Sequence, residues 1–279
     1  KSFPRVHATM RREIVGRDAM LYTWLGTDTT LAPLVLMGHV DVVPVDPGTE
    51  DRWTHPPFSG VVASGYVWGR GTLDDKSTVL GVLEASEVLL AQGFRPRRTV
   101  YLAFGADEEL GGTQGAALIA ARLRERGVRP FLVLDEGGAV VSGVVPGVPA
   151  PVAVIGIAEK GFVSLELLVR AEGGHSAMPP RTTAAGILSR AVVRLEDNPF
   201  PSGVRGAVAE QLDALGREMS FGSRMVFANR WLFDPLIRRQ LARAPSTDAT
   251  IRTTTAVTML EGSPKDNVLP TRARAASSL

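Results

Sequence analysis

Short apolar runs alternate with helical patterns through the first half of this 279-residue chain, and this alternation constrains the fold more than any other feature. Leu34-Val35-Leu36-Met37, for example, is an unbroken apolar run between Pro33 and Gly38, which is typical of a strand buried on both faces. Strands are predicted at 34–37, 99–104 and 131–134, and helices at 76–92 and 113–126. The sequence therefore predicts an α/β fold, with a mostly parallel sheet that carries helices on both faces.

The pattern of apolar residues changes after Lys160, which predicts a second domain. Apolar residues in 163–169 are spaced two apart, as in a strand with one exposed face. Helical segments follow at 182–196 and 205–241, and a Thr-rich strand follows at 253–260. Trp231 and Phe233 are predicted to anchor the packing of these helices. We expect domains at 1–160 and 161–279, the second of the α+β class.

Composition excludes several classes of protein. Lys and Arg number 31 against 29 Asp and Glu, so the pI near 9.2 reflects a small surplus of positive charge. The sequence has no basic stripe interleaved with aromatic residues, so we do not expect nucleic acid as a partner. The apolar runs are too short and too interrupted to span a bilayer. Because the chain has no cysteine, His, Asp and Glu are the strong metal ligands available.

Four polar clusters lie where the loops of an open α/β sheet converge on ligands. They are Gly38-His39-Val40-Asp41, the segment 69–76 with Asp74-Asp75-Lys76, Asp107-Glu108-Glu109, and Asp135-Glu136. Carboxylates gathered in one crevice raise one another's pKa unless a cation lies among them, so we expect a divalent metal. His39 and Asp41 lie on one side of an extended segment, which lets Asp41 hold one imidazole nitrogen while the other binds metal.

Each cluster also has a simpler interpretation. A histidine can be satisfied at a strand end, an acidic pair can favour a helix N-terminus, and adjacent acids often lie in a solvated loop. A nucleotide-binding phosphate loop at 69–77 is disfavoured, because Asp75 stands where such a loop needs Gly and would repel the anion. Adjacent Glu108 and Glu109 can divide the work, one moving protons and the other binding metal.

Six motifs in this order resemble those of one known family. They are Gly38-His39-Val40-Asp41-Val42-Val43-Pro44, Trp68-Gly69-Arg70-Gly71 with Asp74-Asp75-Lys76, Asp107-Glu108-Glu109, Leu134-Asp135-Glu136-Gly137-Gly138, Gly173-Gly174-His175-Ser176 and Asn267-Val268-Leu269-Pro270. The chain resembles, essentially end to end, the dinuclear zinc metallopeptidases that include carboxypeptidase S, glutamate carboxypeptidase, aminoacylase and succinyl-diaminopimelate desuccinylase. It is most similar to the carboxypeptidase S and N-fatty-acyl-amino-acid hydrolase branch.

This resemblance implies two Zn²⁺ per subunit in the intact enzyme. His39 and Glu136 would bind one zinc, Glu109 would bind the other, and Asp74 would bridge both. The peptide bond between Asp74 and Asp75 would be cis.

Catalytic roles follow from the same resemblance. Glu108 would be the general base, and Asp41 would orient His39. His175, from a smaller lid domain, would stabilise the oxyanion and bind substrate together with Asn267. The remaining histidines, His7 and His55, match no ligand of the family, and we expect them to be surface or packing residues.

The implied function is hydrolysis of an amide bond adjacent to a free carboxylate, in a small peptide or an N-acyl amino acid. Domain 1–160 would be the zinc-binding catalytic domain, and domain 161–279 would be a lid that also forms a homodimer. Two alternatives remain. The chain could be a noncatalytic dimerisation or binding fragment, which zinc content and hydrolysis would test, or a nucleotide-binding domain, which ATP titration would test.

Compared with the resembled family, both ends of the sequence look truncated. The chain does not begin with Met, and the family's final histidine ligand of the second zinc has no counterpart after Asn267. We therefore expect weak or absent binding at that second zinc site in this chain. The sequence leaves the compartment open, and we expect a cytoplasmic location somewhat more than a secreted one.

Overall fold

Two units make up the described part of the chain, which in this computed structural model comprises residues 2–143, 145 and 147–279. The first unit is Lys1–Gly137 and the second is Gly138–Leu279. The sequence analysis places the change of domain after Lys160. That boundary stays a prediction. In the structure the hairpin of Ala139–Val141 and Val152–Val154 belongs to the second unit.

The first unit is built around a five-stranded sheet. Its elements are α1 (Pro4–Thr9), β1 (Arg11–Val15), β2 (Ala19–Trp24), β3 (Leu34–His39), β4 (Val61–Ala63), β5 (Tyr66–Trp68), α2 (Lys76–Ala91), β6 (Val100–Gly105), α3 (Ala116–Glu125) and β7 (Leu132–Leu134). The strand order is β1-β2-β6-β3-β7, and β4 pairs with β5 in a separate hairpin. All five elements predicted in this half of the chain are present within a few residues of their expected bounds.

The sheet is mixed, so the prediction of a mostly parallel sheet is wrong in this respect. β3 runs parallel to both β6 and β7, but β1 pairs antiparallel with β2 and β2 pairs antiparallel with β6. The sequence analysis missed the β1–β2 hairpin. Its turn is marked by Gly16, whose φ of 64° lies in the left-handed region that favours glycine.

Helices cover both faces of this sheet, because alternate residues of a strand point to opposite faces. Leu102 and Phe104 of β6 pack in a core with α1 and α2, to which α2 contributes Val79. Ala103, between them, packs in a second core with Ile119 of α3. This arrangement confirms the α/β class, and no helix in the described ranges is long and apolar enough to cross a bilayer.

The second unit contains both helices and antiparallel strands. Its elements are β8 (Ala139–Val141), β9 (Val152–Val154), β10 (Ser164–Arg170), β11 (Gly174–His175), α4 (Ala184–Asp197), α5 (Gly206–Glu218), α6 (Phe221–Ala228), α7 (Arg230–Leu241), α8 (Pro245–Ile251), β12 (Ala256–Glu261), β13 (Val268–Leu269) and β14 (Arg272–Ser278). The sheet order is β10-β14-β12, and α4 packs on it through Ala184 and Leu188 against Ala273 and Ala275.

Trp231 is not a packing anchor, which corrects the prediction from sequence. Its residue surface is 81% exposed, whereas Ile237 on the same helix is 5% exposed. Phe233 and Ile237 are four residues apart and share the inner side of α7, and Trp231 falls on the outer side.

Candidate metal centre

His39 ends the central strand β3 and is only 2% exposed. Its backbone N–H donates to Asp75 Oδ2 at 3.1 Å, and its Nδ1 lies 3.2 Å from both the carbonyl oxygen and Oδ1 of Asp41. If Nδ1 carries the proton and donates to Asp41, Nε2 presents a free lone pair to the crevice. That is the tautomer that a metal-binding histidine requires.

Three carboxylates surround Nε2 of His39. Asp74 Oδ1 lies 3.0 Å from it, Glu136 Oε2 lies 3.4 Å from it, and Glu108 Oε2 lies 3.9 Å from it. Asp74 comes from the loop before α2, Glu108 from the turn after β6, and Glu136 from the segment after β7. The sheet therefore brings together residues that are up to 97 positions apart in the chain.

Asp41 makes more contacts than the sequence predicts. Besides facing His39, its Oδ1 accepts a hydrogen bond from the Glu108 N–H at 3.2 Å, and its Oδ2 accepts one from the Glu109 N–H at 3.1 Å. A single carboxylate thus fixes both the imidazole ring and the turn that carries the two glutamates. The sequence analysis identified Asp41 only as an orienting partner of His39.

Asp75 is a functional residue that the sequence analysis did not assign. It is 2% exposed, it follows Asp74 through a cis peptide bond, as the resemblance implies, and it holds the backbone of His39. A Cβ on Gly38 would lie 2.7 Å from Asp75 Oδ2, so the close approach of this carboxylate to β3 requires glycine there. The available signal was the adjacent Asp74-Asp75 pair at the start of a helix.

The crowding of acids shifts the pKa of several groups. Burial, followed by the negative charges of Asp75, Asp74 and Glu108, raises the pKa of Glu136 to about 7, although His39 opposes the shift. Burial and neighbouring carboxylates also raise the pKa of Glu108. For His39, burial opposes protonation, but the hydrogen bond to Asp74 and the surrounding acids outweigh it and raise the pKa. A cation among these groups would relieve the repulsion.

The donor atoms fit a divalent metal ion. Among the residues that the structure describes, two groups have ligand atoms within 4.8 Å of one another: His39 with Asp74 and Glu136, and His39 with Glu108 and Glu109. A cavity of about 50 Å³ beside His39 is lined by Glu108 and Glu136, which is room for a single ion or water molecule. Imidazole and carboxylate ligands suit zinc. The structure thus brings together His39, Asp41, Asp74, Glu108, Glu109 and Glu136.

His175 and Asn267 lie together in the second unit. β11 pairs with β13 so that His175 is opposite Val268, and the Ser176 N–H donates to the Asn267 carbonyl oxygen at 3.2 Å. The ring Nδ1 of His175 accepts a hydrogen bond from the Ala177 N–H at 3.0 Å, and the residue is exposed. Because Nδ1 is an acceptor in this contact, the neutral ring carries its proton on Nε2.

The other two histidines pack against aromatic rings, as expected. His7 lies 5.9 Å from the Tyr22 ring, and His55 lies 5.0 Å from the Trp68 ring, measured between centroids.

Comparisons with known proteins identify the family of the chain. The model of peptidase family M20/M25/M40 matches residues 35–260. A probable carboxypeptidase S-like 2 protein from Dictyostelium discoideum is 46% identical over 98% of this chain and 53% of its own length. An N-fatty-acyl-amino acid synthase/hydrolase from Xenopus tropicalis is 44% identical over 99% of this chain and 54% of its own length. The chain thus spans about half the length of these relatives.

A solved structure shows the same fold. The crystal structure of an M20 family metallo-carboxypeptidase from Sulfolobus solfataricus aligns with a TM-score of 0.57 and 19% identity, covering 96% of this chain and 61% of the other.

Replacement of His39 should abolish high-affinity zinc binding. His39→Ala removes the ligand that both donor groups share, whereas Asp41→Asn leaves the ligands in place and should weaken affinity by about 10–100-fold. Zinc per chain after dialysis and titration calorimetry measure both effects. His55→Ala is the matched control and should bind zinc as the unaltered chain does. Retention of normal zinc content by His39→Ala would rule out this centre.

Proposed function

The chain belongs to peptidase family M20/M25/M40, and we propose that its first unit supplies the catalytic metal centre of a hydrolase that cleaves an amide bond adjacent to a free carboxylate. The observation that carries this proposal is the convergence of Asp74, Glu108 and Glu136 within 3.9 Å of His39 Nε2. A dimerisation or binding module has no need of a buried histidine held among so many acids.

Two zinc ions per subunit are the expected cofactors. His39, Asp74 and Glu136 would hold one ion, and Asp74 with Glu109 would contribute to the other. The donor group of His39, Asp74 and Glu136 supports the first assignment, and Glu109 belongs to the adjoining group. When bound, zinc lowers the pKa of water and polarises a carbonyl group.

Glu108 is suited to the role of general base. Its side chain is 53% exposed and can therefore reach substrate and water, while its backbone is fixed by Asp41. Burial and neighbouring acids raise the pKa of Glu108 toward neutral pH. A general base is most effective when its pKa lies near the pH of the reaction. Glu108 would take a proton from the attacking water and return it to the leaving amide nitrogen.

Replacement of Glu108 should separate catalysis from metal binding. In the full-length protein, Glu108→Gln should lower kcat for amide hydrolysis by about 10²–10⁴-fold because no group accepts the proton, with zinc content unchanged. The adjacent Glu109→Gln is the matched comparison and should lose zinc. Amide hydrolysis and metal analysis on both variants measure the contrast, and normal turnover by Glu108→Gln would exclude it as the base.

The second unit would supply contacts to the substrate. The Nε2–H of His175 is an available donor, since Nδ1 accepts from the Ala177 N–H. A donor of this kind can stabilise the oxyanion that forms when the amide is attacked. Asn267 lies beside it across the β11–β13 pair and would contact the same substrate. The relatives' names suggest peptides with a free C-terminus or N-acyl amino acids as substrates.

Loss of His175 should affect the reaction and leave the metal in place. His175→Ala in the full-length protein should lower kcat by about 10²–10³-fold, because one donor to the transition state is removed. Zinc content should stay normal, in contrast to His39→Ala. Steady-state kinetics with His7→Ala as the control measure the effect, and an unchanged kcat would exclude the oxyanion role.

The second unit would also act as a lid and join two copies of the protein. The support is the resemblance to the dinuclear zinc peptidases, together with the position of His175 and Asn267 in this unit. Light scattering on the purified chain should give the mass of a dimer, and a monomer at all concentrations would contradict this assignment.

A further inference from the structure

Helices α6 and α7 direct large apolar side chains into solvent. The exposed fractions are 82% for Phe221, 47% for Met225, 81% for Trp231, 57% for Leu232 and 57% for Leu236. We refer to these five residues as the α6–α7 face. On α7 the exposed residues recur at helical spacing, and the inner side is occupied by Ile237, which is 5% exposed.

Positive charge accompanies this apolar surface. Segment 217–243 contains six arginines and two acidic residues. Arg239 and Arg243 are exposed and follow Leu232 and Leu236 along the outer side of α7. Within the described ranges, neither has a carboxylate within 4 Å, whereas Arg230 pairs with Asp213 at 2.7 Å. The outer side of α7 is therefore apolar in its first half and cationic in its second half.

We propose that the α6–α7 face docks on the surface of an anionic phospholipid bilayer. Helices that lie in a membrane interface combine Trp, Phe and Leu on one side with Arg or Lys that contact the headgroups. Trp231 has the amphipathic ring that is enriched at this depth. The proposal concerns a surface separate from the metal centre, and it holds whether or not the hydrolase assignment is correct.

A second copy of the chain is a poorer occupant of this face. A two-fold interface places the same patch on both subunits, so Arg239 and Arg243 of both copies would be brought into one contact. Like charges placed together oppose association, whereas anionic headgroups neutralise them. The charge of Arg239 and Arg243 beside the α6–α7 face therefore favours lipid.

Vesicle binding tests the proposal on the full-length protein. The chain should sediment with vesicles of phosphatidylcholine and phosphatidylglycerol, but not with vesicles of phosphatidylcholine alone, and binding should weaken with salt. Trp231→Ser with Leu236→Ser should weaken binding by about tenfold or more. Arg239→Gln with Arg243→Gln should weaken it by about fivefold per arginine.

Matched variants control for general exposure and charge. Val62→Ser with Tyr66→Ser removes two similarly exposed apolar side chains from the β4–β5 hairpin, and Arg124→Gln with Arg129→Gln removes two other exposed cations. Both should bind vesicles normally. Brominated lipid should quench tryptophan fluorescence in the unaltered chain, and Trp231→Phe should bind while losing this quenching.

Three results would overturn the proposal. The first is equal binding to both kinds of vesicle, and the second is an equal loss of binding in the matched variants. The third is absence of binding to the vesicles that contain phosphatidylglycerol. A light-scattering mass that then falls to that of a monomer in Trp231→Ser with Leu236→Ser would identify the face as a contact between two copies.

Discussion

The buried imidazole of His39 is held between one orienting carboxylate and several others that crowd its free nitrogen, and the rest of the centre depends on this arrangement. Asp41 fixes the ring through Nδ1 and also accepts the backbone N–H groups of Glu108 and Glu109. The ring and the glutamate turn therefore cannot move independently. Burial and, after it, the negative charges of the neighbouring acids raise the pKa of Glu136, and a cation among these groups would relieve the repulsion between them.

Sheet topology explains why the acids meet. β3, β6 and β7 run parallel, so their carboxyl ends lie at one edge of the sheet, and the residues that follow them project into the same crevice. The antiparallel β1–β2 hairpin extends the sheet on the other side of β6 without altering this edge. The sheet as a whole is mixed. The strands that carry the centre are nevertheless parallel, as the sequence predicts.

Much of the first unit could be predicted because its signals are local. Unbroken apolar runs predict β3 and β6. The polar clusters that follow these runs identify His39 and Glu108 as candidate site residues. The contacts of Asp75 and the second role of Asp41 could not be predicted, since they depend on hydrogen bonds between segments far apart in the chain. The β1–β2 hairpin was missed for a related reason. Arg11 to Val15 is largely polar and exposed, and pairing with β2 defines it as a strand more than its composition does.

Trp231 shows a different limit of sequence analysis. Helical spacing tells which residues share a side of α7, but an apolar residue can lie on the inner or the outer side, and the spacing does not decide between them. Phe233 and Ile237 provide the inner side, so Trp231, Leu232 and Leu236 are left outside. Exposing apolar side chains of this size to water costs free energy, and exposed apolar patches mark interaction sites. The arginines that follow on the same helix side then determine which kind of interface is electrostatically favourable.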